Sequence, residues 1–164
     1  MLRAAVFLAM LAASTTAEAA CPGQFAKLTS LAGGPRDQFL THPAVSQRMT
    51  RLMGQELTHL KKNLSVAGPV ALIHCELVVE GNAPHKGGEQ NAILSFNLYS
   101  GITTVAILDG RRVVLRSTLH RHRAPDNYSH LPAHVRDWIF VAANSFRSRG
   151  KPPANVTILP PPSP

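Results

Sequence analysis

The spacing of apolar residues changes several times along this chain, and each change marks an element. In "THPAVSQRMTRLMGQELTHLKKNL" (residues 41–64), Val45, Met49, Leu52, Met53, Leu57, Leu60 and Leu64 recur at helical steps. They draw one apolar stripe and predict one helix across the segment, with Gln47, Arg48, Arg51, Gln55, Lys61 and Lys62 on the other side. Pro43 suits the first helical position, with Thr41 or His42 as the cap. From Val70 the period shortens to two. "VALIHCELVVE" (70–80) places Ala71, Ile73, Cys75, Leu77 and Val79 on one side and His74, Glu76 and Glu80 on the other, which predicts a half-buried strand.

"NAILSFNLY" (91–99) repeats that alternation, with Ala92, Leu94, Phe96 and Leu98 facing the core. A Ser100-Gly101 turn leads into "ITTVAIL", and Asp109-Gly110 is a two-residue hairpin turn before "RRVVLRS". Four strands with short connections form an antiparallel meander. A polar stretch, "TLHRHRAPDNYSHLPAH", then precedes a second amphipathic helix in which Val135, Trp138, Ile139, Ala142 and Phe146 share a face. A short strand is expected at Val156–Leu159. The expected fold is α+β: an antiparallel meander of four to five strands, with an N-terminal and a C-terminal helix packed on one face.

Length and termini set the frame for these elements. The opening "MLRAAVFLAMLAASTTAEAACPG" has a basic start at Arg3, a short apolar run and small residues at Ala17 and Ala19. That is the pattern of a cleaved secretory signal over residues 1–19, and the apolar run is too short to span a bilayer. A lipoprotein signal ending at Cys21 is the weaker reading, because Glu18 stands where such a signal wants Leu. Residues 20–159 are then one domain, and residues 160–164 a proline-rich tail with no packing. Export places the protein in the periplasm or outside the cell. There, the only two cysteines, Cys21 and Cys75, are expected to form a disulfide. Two unpaired thiols are the alternative.

The formal net charge is +8, and nine basic side chains lie between Arg111 and Lys151 against Asp126 and Asp137. Such a surface could attract anionic envelope polymers, or it could be a solvated face that keeps the protein soluble. Export and sparse aromatic residues argue against nucleic acid. No catalytic motif is visible: there are nine carboxylates in all and no G-x-S-x-G, H-E-x-x-H, C-x-x-C or phosphate-binding glycine loop. The expectation is a protein that is not an enzyme and needs no cofactor. The sequence leaves a homodimer open.

Two constellations could carry a function. His120, His122, His130 and His134 are candidate ligands for a transition metal, although Arg121 and Arg123 oppose a dication beside the first pair and Pro132 interrupts the second. The bland reading is a set of exposed loop histidines. The other constellation is "GNAPHKGGEQ" (81–90), which is longer than a hairpin needs. Pro84 stiffens the backbone before His85, while Gly81, Gly87 and Gly88 permit turn geometry. The segment Asn82, Ala83, Pro84, His85, Lys86, Gly87 and Gly88 could present an imidazole to a partner's carboxylates. A plain glycine-rich hairpin is the competing reading.

The run "APHKGGEQNAILSF", between an incoming strand with a cysteine and an outgoing apolar strand, resembles the signature loop of the periplasmic inhibitors of vertebrate lysozyme, the Ivy family. That loop reads Cys-Lys-Pro-His-Asp-Cys-Gly, followed shortly by Gln. Pro84, His85, Gly88 and Gln90 match it in register, and the likeness in pattern spans residues 28–118. The resemblance implies that His85 enters a lysozyme active site and bridges the acid and nucleophile carboxylates of a retaining glycosidase. Two departures stand out. The family's loop is clamped by a disulfide, whereas its cysteine positions hold Asn82 and Gly87 here. The chain is also basic, as are c-type lysozymes, and like-signed surfaces slow encounter.

The reading that follows is an exported, non-enzymatic binding protein that inhibits a lysozyme-like muramidase through the Asn82–Gly88 loop. Its alternatives are a periplasmic metal-binding protein using the His120–His134 segment, or a basic envelope-associated protein with no discrete site.

Overall fold

The computed structural model describes residues 21–119, 130–143 and 155–160. The expected signal sequence, His120, His122, Phe146 and the tail beyond Pro160 lie outside the described residues.

The N-terminal layer is helical. A 3₁₀ turn (Ala26–Leu31) precedes α1 (Arg36–Thr41) and α2 (Pro43–Met53). Pro43 does open α2, and His42 caps it by accepting the Ala44 N–H on Nδ1 at 3.3 Å. The single helix expected over residues 41–64 is broken. Gly54 takes φ 54° and ψ −123°, a combination that side-chain-bearing residues avoid, and a 3₁₀ turn (Gly54–Glu56) leads into α3 (Leu57–Asn63). The apolar stripe survives the break: Val45, Met49, Leu52, Met53, Leu60 and Leu64 are all buried in one core.

After β1 (Val66–Ala67), the strand expected over residues 70–80 proves to be two. β2 (Ala71–Ile73) folds back on β3 (Glu76–Asn82) through His74 and Cys75, both at positive φ (47° and 62°), with Ile73 opposite Glu76. Positive φ at both central residues is what a tight two-residue hairpin demands. The expected common face of Ala71, Ile73, Cys75, Leu77 and Val79 is therefore lost: Ile73 packs on one core, Leu77 and Val79 on the other.

The meander itself is as expected. β4 (Gln90–Asn97), β5 (Thr103–Asp109) and β6 (Arg112–Ser117) pair antiparallel in sequence after β3. The sheet is larger than four or five strands, however. Among the described residues it has seven, in the order β1-β3-β4-β5-β6-β7 with β2 also on β3, and β7 (Val156–Leu159) runs parallel to β6.

The α+β class holds, but the helices do not share a face. Leu77, Val79, Leu94, Phe96, Val105 and Ile107 pack under α1–α3. Val78, Ile93, Ala106, Leu108, Val113 and Leu115 point the other way, onto Val135 and Ile139 of α4 (Ala133–Ala142). The reason lies in β4 and β5, which carry apolar residues at both parities. A sheet buried on both sides needs a second cover, and the β6–α4–β7 crossover supplies it.

The far end of the sheet is fastened to residues 21–25. Cys21 and Cys75 form a disulfide with a Cα–Cα distance of 5.3 Å, as expected. Phe25 meets Phe96 edge-to-face at 5.1 Å, and the Arg48 guanidinium lies 4.5 Å over the Phe25 ring. Gly101, at φ 72°, lets Phe25 in: a Cβ there would stand 2.5 Å from Phe25 Cε2. Gly101→Ala is expected to cost about 2–3 kcal/mol in urea unfolding, through combined overpacking and backbone strain. A loss under 0.5 kcal/mol would show that this packing yields freely.

Candidate functional site

The β3–β4 connection sits at the end of the sheet opposite the disulfide. The ladder continues one step past the strands, since the Ala83 N–H donates to the Gln90 carbonyl at 2.9 Å and Ala83 is fully buried. The chain then turns. The Lys86 N–H donates to the Ala83 carbonyl at 3.1 Å, with Pro84 and His85 as the two central residues and His85 at φ 57°. Proline first and a positive φ second is the pattern of a type II turn, a place usually given to Gly or Asn. Histidine tolerates this region better than most side chains, at a small cost in strain.

The return path is also tied. The Lys86 carbonyl accepts the N–H groups of Glu89 (3.0 Å) and Gln90 (2.9 Å), and Asn91 Oδ1 accepts the Gly88 N–H at 3.2 Å. Asn82 Nδ2 donates to the Ala83 carbonyl at 2.8 Å. A Cβ on Gly87 would stand 3.8 Å from that same Nδ2, so Asn82 and Gly87, which stand where the resembled loop has its cysteines, are neighbours here. The loop thus has a defined shape without a covalent clamp, from backbone hydrogen bonds and two Asn side chains.

Pro84, His85, Lys86, Gly87 and Gly88 are exposed. Among the described residues, the His85 ring has no hydrogen-bond or ion-pair partner. It is held by its backbone.

Beneath the loop is a base that the sequence did not reveal. Asn63, at the end of α3, is fully buried, and its Nδ2 donates to the carbonyls of Asn91 (3.3 Å) and Leu108 (3.0 Å). The Gly110 N–H donates to the Glu89 carbonyl at 2.7 Å, and Gln90 Nε2 donates to Asp109 Oδ1 at 3.1 Å. The β5–β6 turn and α3 therefore brace the loop from two sides. Only a run of Asn at helix and strand ends hinted at this, and it carries no distance information.

The histidine-rich segment is divided. His120 and His122 lie outside the described residues, His130 is an exposed turn residue, and His134 sits on α4. Among the described residues no group of three or more His, Cys, Asp or Glu could hold a metal ion. His134 is already engaged: its Nε2 lies 3.4 Å from Glu76 Oε2 and 3.2 Å from Ser95 Oγ, while Ser95 Oγ and Asn97 Nδ2 donate to the same Glu76 carboxylate. This Ser-His-Glu contact is not a nucleophile relay. A relay needs the hydroxyl and the carboxylate on opposite ring nitrogens, whereas both meet Nε2 here, and Ser95 is 1% exposed.

The contact instead fastens α4 to the sheet. Burial pushes the His134 pKa below its ordinary 6.5, with His74 acting the same way, and the Glu76 and Asp137 carboxylates only partly restore it. Because the folded value is the lower one, the unfolded chain takes up the proton first as pH falls. The stability that His134 contributes is therefore complete above about 6.5 and is lost as pH falls toward the folded value. Thermal midpoints are expected to drop between pH 7 and 5, and to drop less in His134→Gln. Equal slopes in the two proteins would remove His134 as the cause.

Neither the curated proteins nor the solved structures include a match to the chain. A family model, described as "Inhibitor of vertebrate lysozyme (Ivy)", matches residues 44–144, a span that takes in α2, α3, the whole meander with its His85 turn, and α4. That is more than half of the chain, and on this ground it belongs to the Ivy family of inhibitors of vertebrate lysozyme.

Proposed function

We propose that the protein is an exported, periplasmic single-domain inhibitor of a lysozyme-like muramidase, and that the Asn82–Gly88 loop is its inhibitory element. Membership of the Ivy family supports the inhibitor class. The observation that carries the loop assignment is His85 itself: an exposed imidazole at positive φ on a braced turn, with both ring nitrogens unengaged among the described residues. Residues held in sparsely populated backbone regions cluster at functional sites, and here the strain points a polar ring outward.

The chemistry of the target fits that ring. A retaining muramidase works with two carboxyl groups about 5–5.5 Å apart. An imidazole has a nitrogen on either side, and in its protonated form both donate, so one ring can reach both carboxyl groups by charge-assisted hydrogen bonds. The ring would occupy the space of the scissile bond and satisfy the groups that should act on it. No covalent step is needed. Pro84 and the hydrogen-bonded return path lower the entropy lost when the tip is captured.

The test is a turnover assay. The mature chain is titrated against several c-type lysozymes of different net charge while peptidoglycan cleavage is followed. Stoichiometric inhibition of at least one enzyme at micromolar protein is the expected result. No effect on any of them would leave the family's fold without its activity.

A further inference from the structure

We infer that the inhibitory loop has a basic docking rim beside it, built by Arg111 and Arg112 at the β5–β6 turn together with Lys61 and Lys62 of α3, and that this rim selects a muramidase whose cleft is bordered by acidic side chains. The inference rests on the reading of the His85 loop as inhibitory and names the partner class for it.

Three elements meet at this end of the sheet. The Gly110 N–H bonds to the Glu89 carbonyl at 2.7 Å, His59 Nε2 of α3 lies 3.9 Å from Asp109 Oδ2, and Asn63 reaches both Asn91 and Leu108. Their exposed cations are Lys61, Lys62, Lys86, Arg111 and Arg112, against the acidic Glu89 and Asp109. Both acids are already engaged. Glu89 faces Lys86 at 3.6 Å, and Asp109 accepts from Gln90 Nε2 at 3.1 Å with His59 Nε2 3.9 Å from its other oxygen, so one negative charge stands against the four cations of the rim. Lys61, Lys62, Arg111 and Arg112 form no ion pair among the described residues. Arg111 is also held in place from behind, since its carbonyl accepts Asn155 Nδ2 at 2.7 Å.

Unpaired cations on a fixed base next to a binding tip contribute mainly to encounter. Charges within a Debye length of about 8–10 Å act together on an approaching surface, and steering of this kind changes association rates by factors of 10 to 1,000. A strongly basic enzyme would be repelled before His85 reached its cleft. An enzyme with an acidic rim would be drawn in and oriented.

The experiment measures association and dissociation rates with two c-type lysozymes, one of net negative and one of net positive charge. At about 50 mM salt the wild-type protein is expected to associate at least about tenfold faster with the negative enzyme, with the difference fading near 0.5 M. Arg111→Glu with Arg112→Glu should slow that association by about tenfold and change dissociation little. Lys61→Glu with Lys62→Glu, on a separate element, should act in the same direction and keeps the test valid if the first pair unfolds the turn. Faster association with the positive enzyme, or charge-reversed variants with unchanged rates, would overturn the rim while His85→Ala still abolished inhibition. Failure of the wild-type protein to bind either enzyme would overturn the loop reading, and the rim with it.

Discussion

Replacing His85 with Ala is expected to weaken inhibition of a retaining muramidase by at least about 100-fold, without lowering the thermal midpoint by more than a degree or two. The two halves of this expectation have separate causes. Hydrogen bonds to charged groups are each worth about 1.5–3 kcal/mol, and the variant removes both of those proposed for the ring. Losing even the lower sum is worth roughly two orders of magnitude in affinity. Folding, in contrast, draws nothing from the ring, which is exposed and without a partner among the described residues. His85→Asn separates the contributions further. Asn accepts the positive φ of 57° and keeps the turn, but cannot bridge two carboxylates as imidazole does. Inhibition that survives in both variants would show that the ring is not the inhibitory group.

The second large effect concerns stability and lies at the other end of the sheet. Replacing both Cys21 and Cys75 with Ser is expected to lower unfolding free energy by about 4 kcal/mol, read from urea unfolding whose slope rises as the unfolded chain loses its cross-link. The bridge spans 54 residues, long enough for loop closure to restrict the unfolded chain substantially. It also fixes the hairpin at His74 and Cys75, two residues at positive φ where Gly or Asn would sit more easily. A loss below 1 kcal/mol would mean that the Phe25 and Arg48 contacts hold the N-terminal segment on their own.

Where local periodicity decides structure, the sequence was legible. The four strands of the meander, the Asp109-Gly110 turn, the capped start at His42 and Pro43 and the short strand near Val156 all follow from patterns a few residues long. The misses have physical reasons. The Gly54 break leaves the apolar stripe in phase, so the spacing does not register it. The two-residue hairpin at His74 and Cys75 puts Ile73 on the side of Val78, but Ile73, Cys75, Leu77 and Val79 are all apolar, so the sequence reads as one alternating strand. Ile93 was apolar at the parity counted as outward, and that was the available sign of a second covered face. As for the site, the Pro84-His85 turn was visible because its chemistry is local. Its base was not, because nothing in the order of residues says that Asn63, Asn91, Leu108 and Gly110 converge.

The hydrogen-bonded turn at Asn82–Gly88 has a consequence for when the protein can act. Its shape involves no sulfur, and the one disulfide lies at the other end of β3. A reductant that opens Cys21–Cys75 therefore removes stability but leaves the conformation of the tip untouched in every molecule that stays folded. On the proposed function, lifetime and potency are uncoupled under reductive stress: fewer molecules survive, and each survivor keeps the tip that the proposal assigns to binding.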